Sequence, residues 1–315
     1  MAATIERTLA SALRQDYDNL EVLVVDNQST DGTFEIANAH HDGRLRVLRN
    51  GRNLGAYGNH NRCLELARGE WIKFLHGDDE LLPQCVSRLM QVIDSRREQM
   101  GLLACGAIQL DQSDSESGRT VVPPELVIMK PAPMTSLMLE GNIFGTPSMV
   151  LVHRDRLLAI GGFDTAMEPT ADGDCWFNLR RHYHSGYAPE YLVMTRDDPP
   201  ESTRKEAHLA GRFAESMFRQ IEKWHRLDED LSSLRLKDTA YGEWMKRESF
   251  RFFTSGIRFA SKGEISVLRI MCAGLWKHGL LGRSAGFFVR LVIRGKRPHQ
   301  IREFPWYVSL KEIFS

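Results

Sequence analysis

The sequence predicts an α/β fold, a mostly parallel sheet flanked by helices and followed by a helical C-terminal region. Three observations predict it. Residues 21–26, EVLVVD, are a continuous apolar run ending in an acid, the mark of a buried parallel strand. Strand-like and helix-like segments then alternate at short spacing up to residue 108, which calls for a sheet covered by helices. From about residue 205 onward the pattern is helical throughout.

The elements follow in order. Residues 4–15 form a helix with Ile5, Leu9 and Leu13 on one face. The strand 21–26 runs into the turn NQSTDGT and a helix over 33–39, with Asp31 as its N-cap beside Gly32 and Thr33. LRVLRN (45–50) is a strand, 54–68 a helix closed by Gly69, and WIKFLH (71–76) a strand. A helix over 83–98 opens at Pro83, and GLLACGAI (101–108) is a strand. DQSDSESGR (111–119) is loop-like, TPSMVLVHR (146–154) a strand entering a short helix, and GGFD (161–164) a turn. DGDCWFNLRRHYH (172–184) is a helix with Asp172 and Asp174 at its N-terminus, where they suit the helix dipole, and YAPEYLVMTR (187–196) is a strand.

Composition narrows the function. The 315 residues carry 41 Lys+Arg and 41 Asp+Glu, so no global basic field points to nucleic acid. The five cysteines, Cys63, Cys85, Cys105, Cys175 and Cys272, are odd in number and widely spaced, without a CxxC pair. That argues against a disulfide framework or a structural zinc and for a reducing, cytoplasmic compartment. No uncharged apolar run reaches the ~20 residues that span a bilayer.

WIKFLHGDDELLP (71–83) poses the chemical question. An apolar strand empties into His76, Asp78, Asp79 and Glu80. Adjacent carboxylates repel and resist desolvation. They form either a solvated turn or a seat for a cation that meets an anionic ligand. Ligands of such sheets bind beyond the carboxyl ends of the strands, where Asp26 and the 76–80 cluster both fall.

The motif order VVDNQSTDGT, NLGAYGNHN, WIKFLHGDDELLP, GGFD and ADGDCWFNLRR resembles the family 2 glycosyltransferases, inverting enzymes of the GT-A fold that use nucleotide-diphosphate sugars. The resemblance covers residues 4–205. It implies a nucleotide-sugar-binding half over 1–110, an acceptor-binding half over 111–205, and a helical region over 206–315 outside it. By the family pattern Asp26 is an exposed acid that hydrogen-bonds the base, with Asn27 and Ser29 beside it. Asn53, Gly55 and Asn61 belong to the nucleotide-side loop and helix, Asn61 supporting the acidic loop. HGDD resembles the Asp-x-Asp metal motif, which implies Mg²⁺ or Mn²⁺ on Asp78. Asp79 is a second ligand or holds the turn. His76 replaces the first acid and either faces ribose or phosphate or ligates Mn²⁺.

ADGDCW resembles the motif of the catalytic base, with Ala171 in place of its glutamate. Asp172 is then the base and Asp174 the fallback. Trp176 packs under the acceptor sugar or in the core. Arg196, or Arg204, contacts the diphosphate, and Asp198 stands where the family has a metal-side histidine and offers an oxygen ligand. The family also opens with a buried strand ahead of the first helix. This chain starts within the following turn or helix, at MAATIERTLASALRQDY. The resemblance thus implies a sheet lacking a middle strand, and lower stability and activity than a chain carrying one.

Between Ile265 and Arg302 eight basic residues, among them Arg269, Lys277, Arg283 and Arg290, are interleaved with Trp276, Phe287 and Phe288, with no acid. Such a tract suits either an anionic membrane surface on the cytoplasmic side, as a lipid-linked acceptor would require, or helices packed on the catalytic part. The competing function is a catalytically impaired relative that binds nucleotide or a partner. A dinucleotide oxidoreductase is disfavoured, because no GxGxxG opens the first helix.

Overall fold

The computed structural model describes residues 1–133, 137 and 142–196, together with Arg212, Glu215, Ser216, Arg219, Gln220, Lys223 and Trp224. The basic tract 265–302, Arg204 and Asp198 lie outside the described residues.

Among the described residues nine strands and six helices follow in chain order: α1 Ile5–Leu13, β1 Val22–Asp26, α2 Thr33–Asn38, β2 Leu45–Arg49, α3 Ala56–Leu66, β3 Trp71–Lys73, β4 Glu80–Leu81, α4 Cys85–Asp94, β5 Met100–Leu110, β6 Glu116–Arg119, β7 Val127–Met129, β8 Val150–His153, α5 Arg154–Ala159, α6 Ala171–His182 and β9 His184–Arg196. The fold is α/β, as expected, but the sheet is mixed rather than mostly parallel. β1 and β2 pair parallel in a sheet of their own. The larger, seven-stranded sheet has the order β3-β8-β5-β9-β4, with β6 on β5 and β7 on β9. Within it β8 runs antiparallel to both β3 and β5, whereas β5 and β9 are parallel. An apolar run reports burial and not direction, so the sequence pattern could not distinguish these arrangements.

The core lies around β5, whose Met100 to Cys105 are fully buried with Leu151, Val152, Phe144, Trp176 and Leu179. β6 forms where a loop was expected: its exposed polar residues pair on the edge of β5.

β1 and β3 run in the same direction without pairing. Their amino ends meet where the Arg68 amide donates to Glu21 at 2.6 Å. Their carboxyl ends meet at Met1, whose amino group lies 2.6 Å from Asp31 and whose side chain lies against Gly77. Val22 donates to Arg44 and the Asp26 carbonyl accepts from Asn50, so the alternating backbone groups of Leu23 and Val25 face away from β2. The cavity of about 1050 Å³ between β1 and β3 is lined by residues 19–27 and 67–78, with α1 and α3 contributing walls.

Candidate active site

The loop after β3 is held from below by α1. Thr4 and Thr8 hydroxyls donate to the Gly77 and Asp79 carbonyls at 2.7 and 2.8 Å. The Leu81 amide donates to Ser11 Oγ at 3.1 Å, and Gln15 Nε2 donates to the Leu82 carbonyl at 2.9 Å. Four polar residues at helical spacing thus hold the backbone of residues 77–82. The stripe is present in the sequence, but beside Ile5 and Leu9 it reads as ordinary helix surface.

In this loop the His76 amide donates to Ser148 Oγ at 3.0 Å. Asp79 is buried, accepts from the Arg196 amide at 3.2 Å, and has its carboxyl pushed up to about 6 by burial, against the Ser148 hydroxyl that holds it down. His76 Nδ1 lies 3.6 Å from Asp79 Oδ2. Ligand atoms of His76, Asp78 and Asp79 all lie within 4.8 Å of one another. A buried carboxylate whose ionisation is opposed, beside a second acid and an imidazole, is a donor set that a divalent cation fits.

Arg196 stands elsewhere than the resemblance implies. Its guanidinium donates to Glu80 at 2.7 Å, Asp114 at 2.9 Å and the Asp78 carbonyl at 2.6 Å, and its side chain is 10% exposed. It buttresses the acidic loop from behind. Three acceptors already surround it, so no free fork is offered to a diphosphate.

Asp26, Asn27, Ser29, His76 and Asp78 all line the one cavity, so the two acidic strand ends share a rim. Asp26 is not the exposed acid that was expected. Its side chain is 2% exposed, accepts from the Ser29 amide and pairs with Arg49 at 3.1 Å. Asn27 and Asn53 belong to an amide network. Asn27 Nδ2 donates to Asn53 Oδ1 and to the Gly55 carbonyl, both at 3.0 Å, and Asn27 Oδ1 accepts from the Leu54 amide and from Asn50. Asn59 Nδ2 donates to the Val25 carbonyl at 2.9 Å and joins the same network through Asn50. Asn50 and Asn59 were not singled out in the sequence.

Helix α3 links this rim to the GGFD turn and the residues that lead into α6. Asn61 clamps the GGFD turn, not the acidic loop: Nδ2 donates to the Phe163 carbonyl and Oδ1 accepts the Phe163 amide, each at 2.8 Å. Gly162, at φ +70°, leaves room for that clamp, since a Cβ there would lie 2.6 Å from Asn61 Oδ1. One turn earlier Tyr57 donates to the Pro169 carbonyl at 3.1 Å and bonds Asp172. His60 lies 3.3 Å from His76 and packs among Tyr57, Phe74 and Phe163. Burial lowers the affinity of His60 for a proton to about 4 and depresses His76 as well.

Asp172 sits at the start of α6. Dense surroundings raise its carboxyl to about 6, while hydrogen bonds from Gly173 and Tyr57 oppose the rise. Asp174 is 1% exposed and fully engaged: Lys223 Nζ donates at 2.6 Å, Trp224 Nε1 at 2.8 Å and Asn178 at 3.3 Å. It ties residues 223–224 to α6, and the fallback role as base is excluded by this burial. Trp176 is fully buried with its Nε1 donating to the Gly145 carbonyl, a core residue and not a sugar platform.

Comparison with known proteins places the chain. Residues 2–155 match the family model described as Glycosyl transferase family 2. The chain is 32% identical over 211 residues to an uncharacterized protein of Mycobacterium tuberculosis, MT1568, covering 64% of this chain and 66% of that one. It is 35% identical over 94 residues to the UDP-Glc:alpha-D-GlcNAc-diphosphoundecaprenol beta-1,3-glucosyltransferase WfaP of Escherichia coli, 30% of this chain and 38% of the relative. It is 36% identical over 110 residues to the succinoglycan biosynthesis protein ExoO of Rhizobium meliloti, 35% of this chain and 32% of the relative. S. aureus TarS 1–349 in complex with UDP superposes at TM-score 0.49 and 17% identity, covering 88% of each chain. Residues 2–155 belong to glycosyltransferase family 2. It spans less than two thirds of the length of several of these relatives. Among the described residues no helix is long and apolar enough to cross a membrane.

Proposed function

We propose that this chain is a metal-dependent, inverting glycosyltransferase. In this reading it moves a sugar from a nucleotide-diphosphate donor to a glycan or lipid-linked acceptor in surface polysaccharide assembly. The observation that carries the reading is the convergence of His76, Asp78 and Asp79 within 4.8 Å on the rim that also holds Asp26 and Asn27. Asp172, with a carboxyl raised to about 6, follows one α3 turn away through Tyr57. The Escherichia coli relative is named for a UDP-glucose donor and a diphosphoundecaprenol acceptor, which supports the donor and acceptor classes.

Residues 1–110 handle the donor and 111–205 the acceptor. His76, Asp78 and Asp79 would hold Mg²⁺ or Mn²⁺, which would supply charge neutralisation for a departing diphosphate. Asp26, paired with Arg49, anchors the nucleotide-side loop, which Asn27, Ser29 and Asn53 shape. Asp172 accepts the proton of the attacking acceptor hydroxyl, on the face opposite the leaving group. Tyr57 keeps Asp172 oriented. The basic and aromatic tract 265–302 supports contact with an anionic, cytoplasm-facing membrane surface.

The test is a screen of nucleotide sugars for hydrolysis or transfer with Mn²⁺, Mg²⁺ or chelator. Metal-dependent turnover of one donor is expected. Tight nucleotide binding without turnover in any metal would instead support a catalytically impaired nucleotide-binding relative.

A further inference from the structure

The two imidazoles on the rim fix one another's hydrogens. His60 Nδ1 lies 2.8 Å from the Ala56 carbonyl, one turn back on α3. A carbonyl only accepts, so Nδ1 carries the hydrogen and Nε2 of a neutral ring is a bare acceptor. That Nε2 faces His76 Nε2 at 3.3 Å. Two bare nitrogens would repel there, so His76 carries its hydrogen on Nε2 and donates it to His60. The His76 Nδ1 lone pair is then directed toward Asp79 Oδ2, 3.6 Å away. Two acceptors facing each other call for something positive between them, and Asp78 completes the same cluster.

We propose that His60 is a positioning residue that sets the tautomer of His76, making His76 Nδ1 a nitrogen ligand beside the Asp78 and Asp79 carboxylates, and that this mixed set selects Mn²⁺ over Mg²⁺. The inference rests on the cation site of the preceding section and names its chemistry. Mg²⁺ keeps to oxygen ligands, while imidazole nitrogen favours later divalent ions. A ligating histidine is held by a partner for its other ring nitrogen, and here that partner is a second histidine. His60 is itself fixed by Tyr57, Phe74 and Phe163, with ring centroids 5.1–5.5 Å away. It therefore offers Nε2 in one direction.

The experiment is Mn²⁺ titration of the whole chain without nucleotide, read by electron paramagnetic resonance, with ¹⁴N couplings from pulsed spectra and Mg²⁺ as competitor. The wild type is expected to show one imidazole nitrogen on bound Mn²⁺ and to prefer Mn²⁺. His60→Phe keeps the ring packing but removes the acceptor, and should weaken Mn²⁺ binding by about 10–100-fold. His60→Gln retains an acceptor and should lose much less. His76→Asp should abolish the ¹⁴N signal and shift preference toward Mg²⁺. Mn²⁺ bound without ¹⁴N coupling overturns this inference and leaves the cation site standing. No divalent binding at all overturns both. Should the variants fail to fold, the wild-type spectrum and competition alone decide.

Discussion

Replacing Asp172 by Asn should stabilise the protein and disable it at once. The carboxyl rises from 3.8 to about 6 because burial disfavours its charged form. At 1.36 kcal/mol per pH unit, keeping Asp172 ionised above pH 6 costs the folded state on the order of 3 kcal/mol. The sign follows from linkage. A group whose folded pKa is raised contributes stability below its unfolded pKa and loses it as pH climbs through the folded value. Asn stays neutral, accepts from the Gly173 amide through its carbonyl oxygen, and meets Tyr57 with its amide. Thermal unfolding of the two proteins should therefore coincide near pH 4 and separate between pH 4 and 6. At pH 7 the variant should melt roughly 6–12 °C higher, taking about 2–4 °C per kcal/mol. Its turnover of a nucleotide sugar should fall ~10²–10⁴-fold, the usual contribution of a general base. Wild-type kcat/KM should rise with pH and level off above about 6. A variant that is destabilised equally at every pH, or that retains wild-type turnover, would refute the reasoning.

Other consequences are open to measurement. Lys223→Met leaves Asp174 as a buried charge without its cation and should cost about 3–5 kcal/mol in urea unfolding at pH 7. Asn61→Leu removes both bonds to Phe163 and strands two backbone groups, so a loss of roughly 2–4 kcal/mol is expected from the same assay.

Much of the fold was legible from apolar runs and their punctuation, because burial and turn chemistry are local. Strand direction was not. β8 lies between β3 and β5 and opposes both, and nothing in VLVH encodes that choice. The candidate site was legible as residue types at strand ends: Asp26, His76 and Asp78 line one cavity, with buried Asp79 beside His76 and Asp78. What those side chains touch depended on residues far away in sequence. Arg49 covers Asp26 from the next strand, Arg196 is drawn behind the loop by Glu80 and Asp114, and Lys223 with Trp224 claims Asp174. Asn61 was expected near the acidic loop but holds Phe163, a hundred residues on, through a backbone pairing that only a folded turn can present. His60 faces His76 from another element, a pairing that no local sequence pattern announces.

The central claim is that the acidic loop seats a cation that meets the donor's diphosphate. Calorimetric titration of UDP with and without Mn²⁺, into wild type and Asp78→Asn, tests it most directly. UDP binding should strengthen markedly with Mn²⁺ in the wild type and lose that gain in the variant. Equal UDP affinity with metal and with chelator would contradict it.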